Sequence, residues 1–76
     1  MRELLEFLVR TLVEDPDAVQ VEELEEDGDV VLEVSVADDD LGRVIGRGGR
    51  IANALRTVAR AAATKEDCRV LVEILE

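Results

Sequence analysis

Leu41–Lys65 reads LGRVIGRGGRIANALRTVARAAATK, and the rest of the chain is arranged around it. The stretch holds four of the five glycines (Gly42, Gly46, Gly48 and Gly49) and six of the nine basic residues, with no acid among them. Outside it stand three basic residues and all 19 acids, within a formal net charge of −10. Gly46-Arg47-Gly48-Gly49 lies between two apolar-periodic segments, which predicts helix, tight turn, helix. Amides opening the second helix lack internal partners and sit at the positive end of its dipole, a natural seat for phosphate. Glycines carry no β-carbon to hold a sugar–phosphate backbone away, and Arg47 and Arg50 add charge at the same corner. The competing reading is an ordinary helix–helix turn whose first glycine is a C-cap. The local reversal of charge weighs against it, because charges more than about 8 Å apart are largely screened at physiological salt.

Downstream, residues 50–63 predict a long helix with Ile51, Leu55, Val58 and Ala62 as its buried stripe. Arg50, Asn53, Arg56, Thr57 and Arg60 then face water or a ligand. Asp67 marks a turn, and Cys68–Leu75 alternate as a last strand, with Cys68 a small buried hydrophobe. Upstream, one of Asp38-Asp39-Asp40 is expected to cap a short helix starting near Leu41. A cation loop fits less well, since the spacing matches no EF-hand. Residues 29–37, DVVLEVSVA, form the clearest strand: Val30, Leu32, Val34 and Val36 face one way, Val31, Glu33 and Ser35 the other. Asp27-Gly28 is a hairpin turn. It pairs that strand antiparallel with a weaker one over 18–25, where Leu24 breaks the parity of Val19 and Val21 and suggests a bulge near Glu22-Glu23. Residues 2–14 read as an amphipathic helix with Leu4, Leu5, Leu8, Val9 and Leu12 on its apolar stripe. Glu6–Arg10 and Arg10–Glu14 are its flanking pairs, and Asp15-Pro16 ends it.

The expected order is α-β-β-α-α-β, an α+β fold with a three-stranded mixed sheet and three helices on one face. The last strand should lie parallel to the second through a right-handed crossover. Seventy-six residues hold one small domain, 1–76. With Phe7 the only aromatic, no histidine and a lone Cys68, base stacking on Tyr or Trp, a disulfide, a Cys/His zinc site and a Cys–His nucleophile are all excluded. No enzyme activity, cofactor or metal is expected. A Walker loop would need Gly-Lys-Ser/Thr after its last glycine, and a dinucleotide fingerprint from Gly46 would need glycine where Ile51 stands. The acids at 22, 23, 25 and 26 read as a solvated face. No stretch is long and apolar enough for a bilayer, and the N-terminus lacks a basic flank before an apolar run, so a cytoplasmic location is the expectation.

Val44-Ile45-Gly46-Arg47-Gly48-Gly49 resembles the VIGxxG core of the KH domain, a binder of single-stranded RNA and DNA. The element order resembles the type II arrangement of that fold. The run GRGGRIANALRTVARA is similar to small, stand-alone bacterial KH proteins of the KhpA type, and the resemblance spans essentially the whole chain. One departure stands at Ala52, where many KH domains carry a bulky aliphatic residue; here the bulk is at Ile51. The resemblance implies a groove for four nucleotides, backbone toward Gly46, Arg47, Gly48 and Gly49 and bases toward aliphatic side chains. Arg43, Val44, Ile45, Arg50, Asn53 and Arg56 complete the expected RNA-binding set, with Leu41 and Val34 or Val36 along the groove. It further implies an RNA-chaperone or post-transcriptional role, links to cell shape and division, and a second KH protein or a homodimer as partner. No membrane or small-molecule substrate is expected. An interaction adaptor that has kept the fold and lost most RNA affinity is the alternative, favoured by the overall acidity.

Overall fold

The computed structural model describes residues 1–76. Helix α1 (Arg2–Leu12) leads through a 3-10 turn at Pro16–Ala18 to strands β1 (Gln20–Glu26) and β2 (Asp29–Ser35). Then come a short helix α2 (Leu41–Ile45), a 3-10 turn at Arg47–Gly49, the long helix α3 (Arg50–Lys65) and strand β3 (Val70–Ile74). β2 is the central strand, antiparallel to β1 and parallel to β3. Asp27 (φ 51°) and Gly28 (φ 86°) make the two-residue turn between β1 and β2, both in the left-handed region such a turn requires.

The core lies on one sheet face. Val21, Leu32, Val34, Val70 and Val72 meet Leu5 and Val9 of α1, Val44 of α2, and Leu55, Ala59 and Ala63 of α3. Both α1 and α3 obtain their stability from this shared burial, since isolated helices of their length are marginal in water. β3 returns beneath α3, where the Cys68 N–H donates to the Ala63 carbonyl and the Leu75 N–H to that of Val34.

Four expectations need correction. The β1–β2 register runs unbroken from Gln20↔Ser35 to Glu26↔Asp29, so there is no bulge. Leu24 breaks parity because it faces away from the helices, beside Val31 and Leu71. α3 buries Ala52, Leu55, Ala59 and Ala63, one position round from the expected stripe, and leaves Val58 exposed. α1 ends at Leu12, so Arg10 pairs with Glu6 alone, while Glu14 pairs with Arg43. None of the three aspartates caps α2 through its side chain. Asp40 instead accepts the backbone N–H groups of Glu14 and Asp15, each at 3.1 Å, which draws the end of α1 onto α2.

Candidate nucleic-acid interface

The corner at 46–49 is built by three glycines in the left-handed region. Gly46 (φ 75°, ψ 172°) ends α2, its N–H donating to the Gly42 carbonyl at 2.9 Å. It also lies under Ile51: a β-carbon at Gly46 would collide with Ile51 Cγ1 and stand 2.9 Å from the Ile51 backbone nitrogen, so no larger residue fits without moving the start of α3. Ile51 thus supports the loop from within and packs against the core, while Ala52 beside it is buried. Gly48 (φ 64°) and Gly49 (φ 77°) differ from Gly46. Space is open around Gly48, and the nearest atom to a β-carbon at Gly49 is Asn53 Nδ2 at 4.0 Å. Glycine at these two positions keeps the surface bare.

The turn consumes some of its own amides. The Gly49 N–H donates to the Gly46 carbonyl at 3.2 Å, and the Arg50 N–H to that of Arg47. Arg47 and Gly48 open the turn, and neither N–H is a donor in the hydrogen bonds of the turns, loops and caps. Both residues are exposed. Their N–H groups lie at the tip of the corner, at the positive end of the sixteen-residue α3.

The cations around this corner divide into two sets. Arg43 is spent on the fold: it donates to Glu14 Oε1 at 2.8 Å and pairs with Asp40 at 3.3 Å. Arg47, Arg50, Arg56 and Arg60 have no carboxylate within ion-pair distance, although acids outnumber basic residues two to one in this chain. Arg56 reaches from α3 to the edge of the sheet, its Nε 3.4 Å from the Val72 carbonyl and its Nη1 donating to Asn53 Oδ1 at 3.2 Å.

Of the residues expected at the interface, the structure thus brings together Gly46, Arg47, Gly48, Gly49, Arg50, Asn53 and Arg56 at the loop and the first turns of α3. Ile45 and Leu41 are half-buried on α2, as is Val36 after β2. Val44 and Val34 have no exposed surface at all and belong to the core beneath the loop. Sequence reading missed the anchoring role of Asp40, whose amide partners lie 25 and 26 residues away and leave no local signal.

Comparison with known proteins identifies the family. The family model described as KhpA/KhpB, KH domain, matches residues 2–74. The RNA-binding protein KhpA of Clostridium acetobutylicum is 52% identical over 75 residues, covering 99% of this chain and all of that protein. KhpA of Borreliella burgdorferi is 45% identical over 97% of this chain and 90% of its own length. KhpA of Aquifex aeolicus is 43% identical over all of this chain and 96% of its own. With its helix–GRGG–helix corner, its central strand shared by a hairpin and a parallel crossover, and this similarity along nearly its full length, the chain belongs to the KhpA/KhpB family of KH domains.

Proposed function

We propose that the chain acts as a single KH module that holds single-stranded RNA, or single-stranded DNA, across the Gly46–Gly49 corner without catalysis. The relatives named as RNA-binding proteins support RNA as the ligand. The observation that carries the reading is the exposed Arg47-Gly48 tip, with open space above it and cations that no carboxylate neutralises. Phosphates take the tip amides and the Arg47 and Arg50 guanidinium groups. Bases turn toward Ile45, Leu41 and Val36, with Asn53 and Arg56 offering polar contacts at the groove floor. Val44 acts from below by fixing α2. Without an aromatic platform one copy binds weakly and with loose sequence preference, so a homodimer or a second KH protein raises avidity through effective concentration. An RNA-chaperone role in post-transcriptional regulation, in the cytoplasm, fits weak and exchangeable binding.

The test is salt-dependent binding of a short single-stranded RNA to the native chain and to an Arg47→Asp/Gly48→Asp variant. Position 48 has open space and a conformation that aspartate tolerates better than most residues, so the variant keeps its fold. Its affinity should fall at least about tenfold, since it replaces a phosphate contact by repulsion. The reading fails if the native chain shows no RNA affinity, or if native and variant bind alike. The first result favours the adaptor, for which the −10 charge speaks.

A further inference from the structure

All the helices pack on one face of the sheet, and its other face has no covering layer. Across the middle of that open face runs an apolar row, Leu24, Val31 and Leu71, in register on the three strands. Leu24 is 40% exposed and Leu71 56%, while Val31 between them is 2% exposed without belonging to the core under the helices. Acids flank the row on both sides. Two residues along, Glu22, Glu33 and Glu73 stand directly opposite one another, with no cation in ion-pair range. Two residues the other way Glu26 faces Asp29, and Arg69, the one cation among these six, already pairs with Asp29 at 3.8 Å. Like charges held opposite one another weaken a sheet, so the fold carries this glutamate row at a cost in stability.

We infer that the open sheet face docks a basic amphipathic helix of a protein partner, whether or not the Gly46–Gly49 corner holds RNA. An exposed apolar row rimmed by charge is the pattern of an interaction surface, and the sign of the rim selects the occupant. The dimensions fit a helix lying along the row. Strands about 4.8 Å apart make the row roughly 10 Å long, or about two helical turns. Rows on one face are roughly 7 Å apart, and a helix with its side chains is about 10–12 Å across. Its apolar stripe therefore meets Leu24, Val31 and Leu71, while lysines or arginines on its two flanks stand over the two acidic rows. Those cations turn the repulsion within the glutamate row into attraction across the interface. A second copy of this chain fits poorly. A two-fold axis along the strands sets the glutamate row against itself, and one across them sets it against Glu26 and Asp29. Nucleic acid is repelled by the same acids. The face lies on the opposite side of the sheet from the helical layer that carries the loop, so a docked helix leaves the corner free.

The experiment is an amide chemical-shift titration of the full chain, without RNA, at about 0.15 M salt. The probe is a synthetic peptide of about fourteen residues, with leucines at spacings of three and four, lysines on both flanks and alanine elsewhere. A scrambled peptide of the same composition is the control. The probe should move amides of residues 22–33 and 69–73 and leave those of residues 46–53 unmoved. Leu71→Ser, at an exposed position, should weaken it about tenfold. Glu22→Gln/Glu33→Gln/Glu73→Gln should weaken it at least about fivefold. The charge-matched variant Glu3→Gln/Asp17→Asn/Asp39→Asn, exposed and off the sheet, should stay within about twofold. The docking face is overturned if the scrambled peptide binds as tightly, or if the charge-matched variant loses as much affinity as the glutamate-row variant. Either result would mark attraction to net charge alone. Shifts centred on α1 or α3, or no binding at about 1 mM peptide, overturn it as well. So does a concentration-dependent dimer that Leu71→Ser abolishes, which would give the face to a second copy.

Discussion

Asp40 is the one charged residue the fold buries, at 2% exposure, and each of its oxygens has a defined task. Oδ1 accepts the Glu14 N–H and pairs with Arg43; Oδ2 accepts the Asp15 N–H. These contacts turn the chain after α1 and fix α2, on which Gly46 depends. Removing the carboxylate strands two part-buried amides and leaves the Arg43 guanidinium only Glu14 as a partner, so Asp40→Ala should cost about 2–3 kcal/mol, measured by urea unfolding. Asp38→Ala and Asp39→Ala, at exposed positions, should stay within about 0.5 kcal/mol. Equal effects at all three positions would refute this assignment. The three aspartates are indistinguishable in sequence; only the tertiary partners separate them.

At the level of elements, the strands and helices were readable and their faces partly so. Alternation in β2 and the Asp27-Gly28 turn fixed the hairpin, and the glycine corner fixed the break between α2 and α3, because each of these signals is local. The orientation of α3 was not readable by ranking hydrophobicity. Its alanines at 59 and 63 are small enough to bring the helix close to the sheet, while Val58 joins Leu8 and Leu12 along the groove between α1 and α3. Leu24 misled for a related reason. It completes an apolar row with Val31 and Leu71 on the face opposite the helices, where Leu71 is 56% exposed. The next row on that face is Glu22, Glu33 and Glu73, directly opposite one another across the three strands, none in an ion pair. Like charges so placed are destabilising. Glu33→Gln removes the central one and should stabilise the fold by roughly 0.2–1 kcal/mol in low salt, with less gain at 1 M salt where screening is short. Destabilisation by Glu33→Gln would mean that the row is not repulsive.

The whole molecule measures 34 × 22 × 19 Å, which sets its charges against the screening length. At physiological salt that length is about 8 Å, so the field of the acids on the open sheet face is largely screened, and under the proposed function local cations govern RNA binding. At 0.01 M salt it is about 30 Å, comparable with the molecule, and an incoming strand meets the full −10. A basic RNA binder gains affinity steadily as salt is lowered, with a log–log slope near −0.7 per phosphate contact, or roughly −2 for three contacts. This chain should follow such a line from about 0.3 M down to about 0.05 M and then flatten as long-range repulsion grows. Folding stability should move the opposite way, rising with added salt as self-repulsion is screened. Glu22→Gln/Glu33→Gln/Glu73→Gln alters only the far face, touches no proposed RNA contact, and should extend the straight line toward lower salt. Fluorescence anisotropy of a labelled octanucleotide from 0.01 to 0.3 M salt measures all of this. A native line that stays straight to the lowest salt would mean that the acidic surface exerts no control over binding, and that the local field of the corner governs it at every ionic strength.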